Sequence, residues 1–413
     1  MTARLRRDYV FESFGRLWPV THDATRTDAG TFAQGHLFWR CFVLGPDGPP
    51  SLRGCFAARS TNQEIHSMKK SLLSLSLLAL LGSSAYAQSS VTLFGIVDLN
   101  VNSVKNGSAG TIQSLSSGAL NTSRLGFRGI EDLGGGLKAG FHLEGGLSPD
   151  VGAADTTRFF GRRSTVSLLG GFGEVRIGHD YNPSSRNTYL FEPYVGTGVG
   201  TVLNFTLAPT AALGSGVSTM LRSSNSVTYF LPSMGGLYGE AMLAAGEGTP
   251  GAKYAGGRLG FQVAGADVSA GYGVTETATS NDFKQFNVGA SYTMGTVKLM
   301  GLYNVHKYGV LEQKTYLLGA KATFGQSEFN TTYGRNNRSG GAVGSGFGDA
   351  DDASLISAGY TYNLSKRTAL YAMASQISNK GASRLTVTGT AAPAGMLGGE
   401  KSTGVQGGIS HRF

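Results

Sequence analysis

Asn287-Val288-Gly289-Ala290-Ser291-Tyr292-Thr293 is the stretch that decides the fold. Val288, Ala290 and Tyr292 fall on one face of an extended segment, with Asn287, Gly289, Ser291 and Thr293 on the other. Strand side chains alternate with period two, so this segment has one apolar face and one wet face. The same alternation returns in Ile356 to Asn363 and Val405 to Phe413, and recurs between turns from Gln88 onward. A polar face repeated this often, in a chain ending on an aromatic residue, predicts an all-β transmembrane barrel around a water-filled lumen.

Walking outward from 287–293 gives sixteen such segments. The first eight fall near 91–103, 122–131, 137–147, 158–168, 174–180, 222–231, 236–246 and 253–263. The second eight fall near 267–276, 283–293, 297–307, 315–324, 327–336, 353–363, 368–379 and 402–413. An even number is what a single-chain outer-membrane barrel requires. Short connections such as Asp132-Leu133-Gly134-Gly135, Met294-Gly295 and Gly325-Gln326 alternate with long ones near 104–121, 148–157, 181–221, 337–352 and 380–401. Tight turns at one rim and long loops at the other are how such barrels are built, with the loops outside the cell. Eight strands fill with their own side chains, whereas sixteen leave an aqueous channel.

Upstream of the repeat, Lys69 and Lys70 precede the apolar run Leu72 to Leu81, and Ala85-Tyr86-Ala87 follows. A basic start, a short apolar core and a small-x-small site describe a secretory signal peptide over 68–87, too short to span a bilayer as a helix. The mature chain is then 88–413, and 1–67 reads as a misannotated upstream extension without sustained periodicity, expected to be disordered. Both cysteines (Cys41, Cys55) lie upstream, so the mature chain has neither a disulfide nor a thiolate site. After residue 87 there are 25 basic and 20 acidic side chains, a net charge of +5. With no clustered stripe and no recognisable binding fold, that balance argues against a nucleic-acid partner.

Alternation also assigns the charges. Leu125 and Phe127 take the lipid face, which sends Arg124 and Arg128 inward; Leu137, Ala139, Phe141 and Leu143 do the same for Lys138, His142 and Glu144. Val175 and Ile177 put Arg176 in the lumen. At Arg162-Arg163 the alternation favours Arg163 inward, a kink at Gly161 could swap the pair, and the outward member should then sit near a membrane interface. Opposite this wall, the connection Tyr181 to Leu221 runs to roughly forty residues, and a connection that long needs a functional reason. In a wide barrel it can fold inward. It carries one acid, Glu192, with Arg186, and Arg222 lies just beyond it. Its Gly196-Thr197-Gly198-Val199-Gly200 lacks the strand–loop–helix setting of a phosphate cradle and is expected to supply flexibility. Basic residues ringing a constriction favour anions. The competing reading is that they keep a wet wall soluble and pair with Asp98, Glu144 or Glu174.

These residues resemble the general porins of Gram-negative outer membranes, of the β-proteobacterial and neisserial type. The likeness rests on Gln88-Ser89-Ser90-Val91-Thr92-Leu93-Phe94-Gly95, on Ser123-Arg124-Leu125-Gly126-Phe127-Arg128-Gly129 and on Glu131-Asp132-Leu133-Gly134-Gly135-Gly136-Leu137. Gly407-Gly408-Ile409-Ser410-His411-Arg412-Phe413 closes the chain in the same style. The resemblance implies homotrimers of sixteen-strand barrels in outer-membrane lipid and lipopolysaccharide, passive diffusion of small hydrophilic solutes, and an inward-folded third loop; the inward arginines add anions to the expected solutes. It implies no cofactor. It places Arg124, Arg162 and Arg222 at the constriction opposite Glu192, and it makes Phe413, His411 and Ile409 an assembly signal for the outer-membrane insertion machinery.

Two other readings compete with this one. An outer-membrane enzyme would need a site built from His142, His179, His306 or His411, yet no catalytic motif and no metal-ligand spacing occurs. A substrate-specific channel would add strands and an inward aromatic ladder, and neither is legible.

Overall fold

Hydrocarbon offers backbone groups no water, so a spanning strand needs a partner on both edges. The computed structural model describes residues 90–413 apart from 207 and 208, and meets this demand with a closed ring of sixteen antiparallel strands. They are β1 (Ser90–Asn106), β2 (Arg124–Gly134), β3 (Leu137–Ser148), β4 (Arg163–Gly170), β5 (Gly173–Tyr181), β6 (Arg222–Phe230), β7 (Leu237–Ala244) and β8 (Tyr254–Val263). The ring continues with β9 (Ala266–Thr275), β10 (Phe283–Met294), β11 (Val297–Tyr308), β12 (Leu311–Phe324), β13 (Ser327–Ser339), β14 (Ala353–Asn363), β15 (Thr368–Asn379) and β16 (Lys401–Arg412). Closure comes from β1 against β16, in the register Ile96 with Arg412 through Asn106 with Ser402. The segments read as the upstream extension and the signal peptide lie outside the described residues.

All sixteen expected segments are strands. The fourth starts late: β4 begins at Arg163, and 158–162 stays in the preceding loop. Two accessory strands are new. Ala153–Ala154 pairs with the end of β3. Thr111–Ser117 takes the upper edge of β1, because β2 reaches only as far as Ile96. It is bonded there by a polar ladder that includes Asn102 Nδ2 to Ser116 Oγ at 2.7 Å.

The alternation sorts as expected. Outward residues such as Val166, Ile177, Leu318 and Ile356 are among the exposed large apolar groups, while their inward neighbours Thr165, Gln313, Thr315 and Ser357 are buried. Burial of polar strand faces needs something inside the barrel. The long connection supplies it, as two short helices, α1 (Pro183–Leu190) and α2 (Leu203–Thr206), joined by a succession of turns. Asn182 caps α1 by accepting from Ser185 N at 2.8 Å, with Pro183 at the first helical position. The chain then runs around the inner wall. Asn187 Nδ2 donates to Asn287 Oδ1 at 2.7 Å on β10, Tyr194 Oη to Asn330 O at 3.2 Å on β13, and Val199 N to Gln406 Oε1 at 2.6 Å on β16.

Glycines mark this track on the strands. Inward Gly289 faces the Phe191 ring, Gly319 faces Pro193, Gly334 faces Val202, and Gly359 faces Tyr194. Loop side chains Phe191, Tyr194, Val199, Val202 and Phe205 thereby form an apolar cluster inside the barrel with Leu317, Leu355, Met373 and Ile377. Leu385 and Val387 join it, so the 380–400 connection also turns inward instead of projecting outside. Each such side chain contributes about 1.5–3 kcal/mol on burial. The loop is packed wall, and flexibility is the wrong description of 196–200. A Cβ on Gly196 would meet Tyr189, one on Gly198 would meet Met373, and one on Gly200 would meet Tyr194.

Gly289→Val places a branched side chain where Phe191 lies, and overpacking of this kind costs about 1–3 kcal/mol. The variant should keep its barrel by circular dichroism but open to a larger single-channel conductance, because the loop must leave the wall. An unchanged conductance would mean that this contact does not hold the loop.

Candidate functional site

Chain order puts β2 to β6 across from most of the wall that the loop covers, with β7 and β8 at the edge of α1, and the inward faces of β2 to β8 carry the charges. Near the loop-side ends, Arg124, Arg162 and Arg222 converge. Arg124 Nη1 is 3.1 Å from Glu144 Oε1, and Arg162 Nε is 2.6 Å from the same oxygen. His142 Nε2 lies 3.1 Å from Glu144 Oε2. Arg222 Nε donates to Arg162 O at 2.8 Å, and its guanidinium stacks 3.9 Å over the Tyr181 ring. A guanidinium holds its charge at any working pH and stacks on aromatic faces, so this tier is fixed in both charge and position.

A second tier lies beside it and toward the short turns. Arg176 contacts Glu174 at 2.8 Å and Asp180 at 2.6 Å, and Arg163 Nε is 3.8 Å from Asp180. From α1, Arg186 reaches Asp180 at 3.2 Å and Glu240 at 3.1 Å, and Arg258 on β8 meets Glu240 at 3.0 Å. The two tiers hold seven guanidinium groups (Arg124, Arg162, Arg163, Arg176, Arg186, Arg222, Arg258) against four carboxylates (Glu144, Glu174, Asp180, Glu240), an excess of three positive charges.

Of the residues expected at the constriction, the structure brings together Arg124, Arg162, Arg163, Arg176 and Arg222. Both members of the Arg162-Arg163 pair face the lumen, so neither sits at a membrane interface. Arg162 precedes β4, is free of the strand's alternation, and turns in after Gly161. Arg128 lies on the inner wall four residues below Arg124, over the Phe94 ring at 5.1 Å. Lys138 stands apart: it pairs with Asp132 beside a short turn, eight residues from the Gly146 that pairs with Arg124. That is roughly 26 Å along the strand, too far to join the constriction.

Glu192 also departs from expectation. It faces no arginine of the tiers; it is buried, and its carboxylate accepts from Gly196 N at 2.9 Å and Val202 N at 3.4 Å. The loop's one acid fastens the loop's own turn. Its place in the constriction belongs to Glu144, Asp180 and Glu240, which sit on strands. Arg258 and Glu240 were missed although alternation finds them: Leu259 and Phe261 face out beside Arg258, as Ala241 and Leu243 do beside Glu240.

The C-terminal residues form the closing seam. Gly95 N donates to Phe413 O at 3.1 Å, and Phe413 N returns to Gly95 O at 3.1 Å. The Phe413 ring covers Gly95, where a Cβ would collide with it. Ile409, His411 and Phe413 all face outward and are exposed, and His411 Nδ1 lies 2.9 Å from Thr368 Oγ1.

A closed sixteen-strand barrel with a polar lumen, narrowed by an inward loop against a charged wall, is a water-filled membrane pore. The family model for Gram-negative porins matches residues 74–382, and the chain belongs to that family. Its place is therefore the outer membrane, and its relatives are channels. The chain is 40% identical to the outer membrane porin protein 32 of Delftia acidovorans, over 84% of this chain and 100% of the relative. Among solved structures it is similar to an anion-selective porin from Comamonas acidovorans, with a TM-score of 0.70 and 38% identity, covering 79% of this chain and 100% of that one. A likeness in fold alone extends to an outer membrane protein of Vibrio cholerae in trimer form, at a TM-score of 0.55 and 15% identity, covering 79% of this chain and 99% of that one.

Burial pushes the Glu192 carboxyl up to about 7, against the opposing pull of the Gly196 and Val202 N–H groups, Thr201 and Lys321. A carboxyl whose folded value exceeds its ordinary value of 4.5 binds its proton more tightly in the folded protein. Its stabilisation is then full below about 4.5 and is lost as pH rises through about 7. Open-channel noise should accordingly be greater at pH 8 than at pH 5. Glu192→Gln, which keeps an acceptor and removes the titration, should be equally quiet at both; a wild-type channel indifferent to pH would contradict this.

Proposed function

We propose that this porin passes small hydrophilic solutes and ions passively, with a preference for anions. The observation that carries this reading is the excess of three positive charges in the two tiers, from six wall arginines and Arg186 of the loop against four carboxylates, to which Glu192 adds no negative charge. Most of the arginines are ion-paired, which supports a preference short of exclusion. The Comamonas acidovorans structure, described as anion-selective, supports the same reading.

The assembled form is a homotrimer in this proposal. Around the wall, β6 to β14 turn aromatic residues outward, including Tyr229, Phe261, Tyr272, Tyr292, Phe329 and Tyr360. Across β15, β16 and β1 the outward positions include the aliphatic Leu370, Ala372, Ala374, Val405, Ile409 and Val101, with His411 and Phe413 at the short-turn end. An aromatic arc suits a lipid interface and a smooth aliphatic arc suits close protein contact. The Vibrio cholerae trimer form supports this. Phe413, His411 and Ile409 are offered to the insertion machinery as an outward-facing signal, following export directed by 68–87, and lipopolysaccharide surrounds the aromatic arc.

Arg124→Gln with Arg222→Gln tests the selectivity. One unit charge about 6 Å from the ion path in water changes the local anion population by about threefold (~0.7 kcal/mol), and salt screens part of it. The double variant should lose roughly three- to tenfold of its anion-over-cation permeability, read from zero-current potentials in a salt gradient. Unchanged selectivity would remove these two arginines from the role.

A further inference from the structure

α1 is the part of the loop that enters the lumen first, and it carries a single charge, Arg186. That guanidinium spans two strands of the wall. Nη2 donates to Asp180 Oδ2 and to Tyr181 O, each at 3.2 Å, while Nε lies 3.1 Å from Glu240 Oε1 on β7. Its Cζ stands 5.5 Å from the centre of the Phe230 ring on β6, the strand between. The Asp180 and Glu240 side chains are 3% and 0% exposed, so both charges have left water. The approach to Glu240 is a charge contact without hydrogen-bond alignment, and neither Glu240 oxygen has a hydrogen-bond partner. A buried carboxylate held this way depends on its cations, and removing one leaves charge uncompensated.

The remaining contacts of α1 are neutral. Asn287 Nδ2 donates to Ser184 O at 2.8 Å, Ser184 Oγ meets Tyr254 Oη at 3.1 Å, and Ser269 Oγ bonds Asn187 Oδ1. They fix the helix against β8 to β10, on one side. On its other side the Tyr189 ring meets Tyr181 edge-on at 5.3 Å, and Arg186 supplies the charged tie to β5 and β7.

We propose that Arg186 is the positioning residue of this pore: it tethers the constriction loop to Asp180 and Glu240, and in doing so screens those two carboxylates from passing ions. The selectivity half of this proposal rests on the anion-preferring reading; the tether half does not. In the lower tier, losing Arg186 leaves three guanidinium groups facing three carboxylates, so its surplus of positive charge disappears.

Single-channel recording of the full protein in planar bilayers, with wild type alongside, tests both halves. Arg186→Gln should show a larger conductance, added open-channel noise, and a loss of anion preference of up to about threefold. Arg186→Lys should keep most of the preference, since the charge remains, but show noise in the same direction because the two-strand span is lost. Glu240→Gln completes a double-mutant cycle: screening requires that it raise anion preference more in the Arg186→Gln background than in wild type. Wild-type conductance and noise in both Arg186 variants would overturn the tether; if Arg186→Gln does not fold, Arg186→Lys decides that point alone. An equal effect of Glu240→Gln in both backgrounds would overturn the screening. A wild-type channel with no anion preference would count against the anion-preferring reading and leave the tether result standing.

Discussion

Every backbone N–H and C=O within the hydrocarbon must be bonded inside the protein, and the rest of this structure follows from that constraint. It forces closure, so β1 must meet β16, and the last bonds of the ring are those between Gly95 and Phe413. Closure with sixteen strands makes a ring too wide to fill with strand side chains. The interior is therefore wet unless another part of the chain occupies it. The long connection occupies one side and leaves the other open, and the open side is where the arginines stand.

How the loop stays there is a question of shape and of charge. The shape is cut into the strands as inward glycines, each opposite a loop side chain, which allow Phe191, Pro193 and Tyr194 to lie directly on the sheet. Charge works at the other end of the loop, where Arg186 enters between Asp180 and Glu240. The same wall that carries the proposed anion preference thus also holds the element that narrows the path. The four carboxylates of the wall order the guanidinium groups and at the same time moderate the field those groups create.

Much of this was legible in period-two alternation, because a pleated strand offers only two faces and lipid accepts only one kind. It placed Arg124, Arg128, Glu144 and Arg176 correctly, and it would have placed Arg258 and Glu240. Alternation stops at strand ends, which is why Arg162 was ambiguous: it belongs to the turn after Gly161 and obeys no strand parity. Glu192 was misplaced for a different reason. Whether a loop carboxylate meets arginines or backbone N–H groups depends on how the loop docks, and the donors at Gly196 and Val202 exist only in the docked form. The inward turn of 380–400 was hidden likewise, since Leu385 and Val387 look like ordinary loop residues until Val199, Val202 and Phe205 are beside them.

In the proposed function, a net-positive constriction around a docked loop sets the charge preference of an open pore. The most direct measurement is the zero-current potential of the wild-type channel in a planar bilayer under a potassium chloride gradient. Stepwise openings are expected, with a potential of anion sign that shrinks as salt is raised on both sides, since screening weakens the wall's field. A potential of cation sign, or a membrane that stays silent, would contradict it.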